Sequence, residues 1–353
     1  MGSLVAGRLS QSQTRICILG RAKTGWGRLL NTIFSGLLLV PRSDVILVDV
    51  FGGRAFVYES AAILYSHLCK KRVVAMLHSG NMPDFVERWT RWTRFVLFKP
   101  ALVLAPHSFL QLQLSALGLR IDGIIPNFIE LENYPFRERA VLAPRFLYLR
   151  GMHSFYNAPM ALKAFALIQD KYPEALLTLA GPEGEDSECC RALISTLNLR
   201  NVYLVGIVPK KEIPALADRH DIHLHTNRVE NMPVSIIEMW ACGLPIVGTE
   251  VGGMPHLVRN GQDGLLVESE DYHAMAGACL ELLANQKLAQ TLSSCGRARA
   301  KQLAWEHVRP AWERALFPED ELTADSTQNQ VMFAHDLPDL PSAKLKEPDG
   351  TGR

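Results

Sequence analysis

Acidic residues are missing from the first part of the chain, where none precedes Asp44, and cysteines are scattered with no C-x-x-C pair among the seven of them. An odd number of dispersed thiols argues against a disulfide framework or a zinc ribbon and fits a reducing, cytoplasmic setting. The chain also contains no N-x-S/T sequon. No apolar run approaches the roughly 18 residues that a membrane-spanning helix needs. Ile33 to Val40 is too short even with its flanks. The acid-poor start faintly resembles a transit peptide, but a strand that begins at Arg15 leaves little room for one. There is no excess of charge either: 37 basic against 36 acidic residues give a formal net charge of +1. Nucleic-acid binders usually carry a broad basic field, so that partner class is set aside, and an anionic ligand must be met locally.

What is present is a hydrophobic content of 48% over 353 residues, enough for two cores. The order of short apolar strands and helical segments predicts two β-α series. The first opens with Arg15 to Leu19, continues through strands at 45–50, 72–77 and 101–105, and closes near Asn127. A charged, proline-bearing stretch without period, 130–144, reads as a linker. The second series starts at Arg145 and runs to Phe317, with helices at 271–283 and 289–317 at its end. Beyond Pro318 the composition turns polar, predicting a disordered tail over 318–353, and residues 1–14 are expected to be frayed. Repeated β-α-β order implies parallel sheets covered on both faces, so the expected architecture is α/β: two doubly wound Rossmann-like domains, 15–129 and 145–317, with a cleft between them.

Three stretches carry candidate chemistry. After the first strand, Gly20-Arg21-Ala22-Lys23-Thr24-Gly25-Trp26-Gly27 is a glycine loop entering a helix. It lacks the Lys-Ser/Thr of a P-loop and is not G-x-G-x-x-G, although Asp49 ends the next strand near where a dinucleotide fold keeps a ribose carboxylate. The third strand delivers His78 into a polar loop at the same sheet edge. The third stretch, Glu230 to Val247, puts Glu230 in a loop, Pro233 at a helix start, Glu238 in the second turn and Gly243 at the helix end. The free N–H groups of that first turn suit an anion or sugar hydroxyls. His220, His223 and His225 lack a supporting carboxylate set beyond Asp221 and read as core residues instead of a metal site. The segment Arg88 to Phe98, with arginines at every third position beside tryptophans, predicts a surface helix that could lie on anionic lipid or grip a charged acceptor.

Taken together, Glu230-x7-Glu238, the run Ala241 to Val247, Gly252-Gly253-Met254-Pro255 and Gly261-x2-Gly264-Leu265-Leu266-Val267 resemble the retaining glycosyltransferases of family four, which have the GT-B fold. The resemblance is strong over the second half of the chain and extends only to layout over the first. It implies transfer of a hexosyl-type sugar from a nucleoside diphosphate sugar to an acceptor hydroxyl, with anomeric configuration kept and no metal or other cofactor. The acceptor class, whether glycan, lipid or small molecule, stays open. Carried over by motif, His78 lies beside the reacting carbon, Glu230 meets donor-sugar hydroxyls, and Glu238 bonds the ribose. Asn231, Met232, Pro233 and Val234 border the sugar and phosphate, and the loop with Gly25 and Gly27 lies near the diphosphate. Where the family has an arginine and a lysine on the phosphates, this chain reads Arg150 to Asn157, with Tyr156 or Asn157 in the lysine's place and Arg150 one residue out of register. That departure keeps other readings open: a catalytically silent subunit that binds a nucleotide sugar or a partner enzyme, or a GT-B epimerase or phosphorylase.

Overall fold

The computed structural model describes residues 5, 9, 16–18, 36–139 and 141–317. The glycine loop with Gly25 and Gly27, most of the expected frayed start and the tail beyond Phe317 lie outside the described residues.

In the first domain five parallel strands stand in chain order, β1 (Ile16–Ile18), β2 (Val45–Val50), β3 (Arg72–Leu77), β4 (Leu102–Ala105) and β5 (Gly123–Ile124). The apolar strands alternate faces as a pleat requires. Ile46, Val48 and Val50 of β2 share one core with α1 (Phe56–Leu68), α2 (Met82–Arg88), α3 (Thr90–Leu97) and α4 (Ser108–Ala116). The chain stays extended through His107, which caps α4: its Nδ1 accepts from Phe109 N at 3.0 Å. Val45 and Leu47 face the other way.

In the second domain β6 (Arg145–Leu149), β7 (Leu176–Ala180), β8 (Val202–Gly206), β9 (Ile222–His225), β10 (Ile246–Thr249) and β11 (Leu265–Val267) form a parallel sheet of order β11-β10-β9-β6-β7-β8. One face packs on α5 (Ala158–Lys171) and α10 (Tyr272–Ala284), the other on α8 (Val234–Cys242) and the end of α11 (Gln286–Gln302). Between them lie α6 (Ser187–Thr196), α7 (Ile213–Asp218) and α9 (Met254–Leu257). Strand order reverses between β6 and β9, so the connections leaving these neighbours run to opposite faces and open a crevice at their carboxyl ends.

Three expectations are corrected. The periodicity predicts one helix over 289–317, but the chain breaks after α11 and starts α12 (Trp305–Leu316) against the first domain. The crossing is pinned by backbone bonds, Ile129 N to Leu303 O at 3.1 Å and Trp305 N to Ile129 O at 2.9 Å. Trp305, Val308 and Trp312 then cover the open face of the first sheet with Val45, Leu47 and Met76. Each large side chain buried there is worth about 1.5–3 kcal/mol, which favours the crossing over a continuous helix. Within the expected frayed end, Val5 and Leu9, an i,i+4 apolar pair, are helical and buried in this same core. The linker is also less free than its composition suggests. Arg137 bonds Asp218 Oδ1 at 2.8 Å and Asp221 Oδ1 at 3.0 Å, and the buried Arg139 donates to the carbonyls of Ala217 and His220. Gly243, at φ +85°, is where the linker crosses α8. A Cβ there would stand 2.3 Å from Arg137 O.

Candidate active site

Glu230 occupies the centre of the crevice. Its Oε2 accepts from Arg150 Nη2 at 2.8 Å, Asn227 Nδ2 at 2.6 Å and His225 Nε2 at 3.2 Å, and its Oε1 accepts from Asn231 N at 3.0 Å. Arg150 comes from the end of β6 and the others from the end of β9, so the strand reversal itself brings them together. Burial pushes the Glu230 carboxyl up, but the Arg150 charge, the His225 contact and the Asn231 N–H outweigh it and hold the carboxyl down at about 2. Burial keeps His225 neutral by lowering its pKa. With Nε2 donating to Glu230, its Nδ1 is left buried without a partner. Gly252 and Gly253 back this loop: Gly253 N donates to Glu230 O at 3.1 Å, and Cβ atoms on the two glycines would stand 2.1 Å from Glu230 O and 2.0 Å from Asn231 O. The Gly-Gly motif is thus a requirement for close backbone approach.

Helix α8 begins as the sequence predicts, with Pro233 extended at its cap, and Glu238 lies buried in the second turn. Tyr134 of the linker donates to Glu238 Oε1 at 2.6 Å. Burial raises the Glu238 carboxyl, and the Tyr134 hydroxyl and the charges of Lys210 and Arg150 oppose that rise. The two glutamates therefore differ: Glu230 is ionised at all ordinary pH, and Glu238 is the more readily protonated.

The first domain closes over this loop. His78 bonds Asp49 through Nε2 at 2.6 Å, and its ring lies on Phe51 with centroids 5.0 Å apart. Parallel pairing aligns β2 and β3 so that Asp49 and His78 reach one sheet edge. His78 O accepts from Asn231 Nδ2 at 3.2 Å, and a Cβ on Gly80 would stand 3.1 Å from the Glu230 carbonyl carbon. Lower in the cleft, Asn127 Nδ2 donates to Met232 O at 2.7 Å. Asp49 thus serves as partner to the histidine, a role not assigned to it from the sequence.

The residues expected in the phosphate grip are not arranged alike. Arg150 lies 5.2 Å over the Tyr156 ring while bonding Glu230, with its Nε buried and unpartnered. Asn157 sits in the left-handed region at φ 53°, and its side chain is occupied by Glu270 at 3.0 Å and Arg228 at 3.0 Å. It shapes the loop rather than facing the crevice. The structure therefore gathers His78, Arg150, Tyr156, Glu230 and Asn231 together, with Met232, Pro233, Val234 and Glu238 on the adjoining cap and helix. Tyr134, Asn227 and His225 were missed. Asn227 and His225 at a strand end carried a positional signal, whereas Tyr134 carried none because nothing in the linker marks which atom it meets. His220 and His223 are buried, with Nδ1 bonded to the carbonyls of Leu216 and Leu147. Arg88 to Phe98 is two helices broken at Trp89, not one. No helix among the described residues is long and apolar enough to cross a membrane.

Comparison with known proteins agrees with the fold. Residues 143–299 match the family described as glycosyl transferases group 1. A D-inositol 3-phosphate glycosyltransferase of Corynebacterium urealyticum is 27% identical over 45% of this chain and 38% of its own length. An N-acetyl-alpha-D-glucosaminyl L-malate synthase of Bacillus anthracis is 28% identical over 42% of this chain and 37% of its own. The chain thus spans well under half the length of these curated relatives. Among solved structures, Anabaena HepE in complex with UDP-glucose matches at TM-score 0.68 and 19% identity over 82% of this chain and 83% of its own. Staphylococcus aureus TarM, in complex with UDP and other ligands, matches at 0.67 and 17% over 82% and 58%. The architecture is GT-B: two Rossmann-like α/β domains with parallel sheets.

Proposed function

We propose that the chain is a retaining, metal-independent glycosyltransferase of the family-four type, moving a hexosyl-type sugar from a nucleoside diphosphate sugar to an acceptor hydroxyl. The observation that carries this reading is Glu230, held ionised at the head of α8 and faced by the His78 loop of the other domain. In this reading the diphosphate lies over the cap segment Asn231 to Val234, where the N–H groups of Met232 and Val234 and the helix-end dipole favour an anion. Glu238, steadied by Tyr134, takes the ribose, and Glu230 takes hydroxyls of the donor sugar. For the last contact Glu230 must exchange a present donor for a sugar hydroxyl, and Arg150 is the one placed to move to the phosphates. The bond from the anomeric carbon to phosphate oxygen breaks, the acceptor oxygen bonds that carbon on the same face, and the acceptor proton passes to the leaving phosphate. Fixed N–H dipoles stabilise the charge that develops there.

The test is a donor panel of UDP, GDP and ADP sugars, read by nucleotide release, with UDP-sugars first because UDP or UDP-glucose occupies the neighbouring structures. Expected outcomes are release that survives EDTA and a product whose anomeric configuration, read by NMR, equals that of the donor. An inverted product or loss of activity in EDTA would overturn the corresponding part. Arg150 already engaged by Glu230 and Tyr156 favours a second reading, the silent subunit. It requires donor binding with no nucleotide release on any acceptor. Peripheral membrane contact is assigned to Phe95 and Phe98, 57% and 72% exposed beside Arg91. Liposome flotation with Phe98→Ser should fall below that of the parent protein, and equal flotation removes the idea.

A further inference from the structure

Beside His78 the first domain holds an open cavity of about 750 Å³, lined by Arg54, Asn81, Asp84, Arg88, Trp89 and Trp92 among others. Its floor is aromatic: Trp92 meets Phe56 edge-on at 4.9 Å, and Trp89 stands perpendicular to Trp92 at 6.1 Å. Trp89 is 48% exposed, unusual for a ring of that size in a concave site. Arg54 and Arg88 on the rim form no ion pair with a carboxylate among the described residues, whereas Arg150 and Arg228 at the crevice are paired with Glu230 and Glu270. Two such cations against Asp84 leave the rim net positive.

The cavity and His78 share their supports. Both carboxylate oxygens of the buried Glu59 accept from the loop after β2, from Phe51 N at 3.1 Å and Gly52 N at 3.2 Å. That loop lays Phe51 on His78 and continues directly into Gly53 and Arg54 of the cavity wall. On the other side, Asn81 N donates to Ser79 Oγ at 3.2 Å, so the wall residue Asn81 is tied to the loop that His78 opens. A ligand in the cavity therefore lies two short loops from the histidine.

We propose that this cavity is the acceptor subsite and takes an anionic carbohydrate, with a sugar ring on Trp89 and its phosphate or carboxylate held between Arg54 and Arg88. Its role as acceptor rests on the transferase reading; its chemistry does not. Sugar rings offer C–H faces to an indole and hydroxyls to Asn81 and Asp84, and guanidinium groups bind oxyanions in forked geometry. A bilayer fits less well, because the aromatic surface is concave and Trp92 is half-buried.

The experiment is ligand-observed saturation-transfer NMR on the full chain with glucose 6-phosphate, glucuronate and glucose as probes, alongside UDP. Both anionic sugars should bind about tenfold more tightly than glucose, the scale of one charge-assisted contact. Arg54→Gln and Arg88→Gln should each erase most of that preference, and Trp89→Ala should weaken all three sugars alike, with UDP binding unchanged throughout. The two anionic arms separate phosphate from carboxylate as the bound group. Equal binding of charged and neutral sugars, no sugar binding, or binding indifferent to both arginines would overturn the proposal. So would binding of phosphatidylglycerol vesicles that is lost in these variants while no sugar binds. A parent protein that fails to bind UDP, yet keeps an arginine-dependent preference for anionic sugars, would sink the transferase reading and uphold the cavity's specificity.

Discussion

Glu230 of the second domain and Glu59 of the first both lose solvent beside the cleft, yet they titrate in opposite directions. Glu230 in the second domain has a guanidinium, a histidine, an amide and a backbone N–H on it, and its pKa falls to about 2 despite burial. Glu59 in the first has two backbone N–H groups and no cation; burial dominates and raises it to about 7, with the Asp49 charge adding to the rise. Burial alone does not decide a carboxylate's state. What decides it is whether a full positive charge shares the site. Glu230 is thereby held as a fixed negative charge, whereas Glu59 serves to hold the loop after β2 in place.

The comparison is broken most directly at Glu230. Glu230→Gln should lower nucleotide release about 10²- to 10³-fold, the scale of removing a preorganised charged contact, while changing donor affinity only modestly. Unchanged turnover would remove Glu230 from the site. In the first domain, Asp49→Asn takes the charge from the His78 partner without changing its shape. Turnover should fall about tenfold, less than for Glu230, as expected for a group that orients another. Donor binding measured by calorimetry should stay put, and a drop there would mean Asp49 acts on the donor.

Tyr134→Phe removes one hydrogen bond to Glu238, worth about 0.5–1.5 kcal/mol. Donor affinity should weaken several-fold, and the Glu238 carboxyl should rise further. An unaffected donor dissociation constant would place the ribose elsewhere. A separate readout is pH dependence, where the two domains should diverge in sign. Glu230 is depressed from 4.5 to about 2, so the stability it contributes is present above pH 4.5 and lost as pH falls from there through about 2. Glu59 is raised from 4.5 to about 7, so its contribution is full below pH 4.5 and lost as pH rises through 7. Thermal unfolding across pH 4 to 8 should therefore show a falling component that Glu59→Gln flattens and Glu230→Gln leaves intact. A slope indifferent to Glu59→Gln would mean that another group carries it.

Much of this was readable from the chain. Alternation of β2 and β3, the helix from Val234 to Gly243 and the Glu230-x7-Glu238 spacing all express local periodicity and backbone preference, which neighbouring residues carry. His78, Glu230 and Asn231 could be placed at the crevice for a related reason, because strand ends in parallel sheets collect at one edge. The crossing of α12 was not readable. Trp305 and Trp312 are apolar at helical spacing whichever domain they cover, and only the uncovered face of the first sheet selects between them. Asn157 likewise stands, with Tyr156, where the resemblance expects the lysine, but its side chain is claimed by Arg228 and Glu270, two residues far off in sequence.

By itself the sequence determined the elements, the two-sheet plan and the glutamates at one helix end, since each depends on interactions within a few residues. Only the tertiary structure decided what each polar atom meets: Arg150 on Glu230, Tyr134 on Glu238, Asp49 on His78, and Arg54 of the loop after β2 and Arg88 at the end of α2 brought around one cavity. Charge and hydrogen bonding act over a few ångströms regardless of chain separation. Protonation state and ligand preference are therefore set by packing.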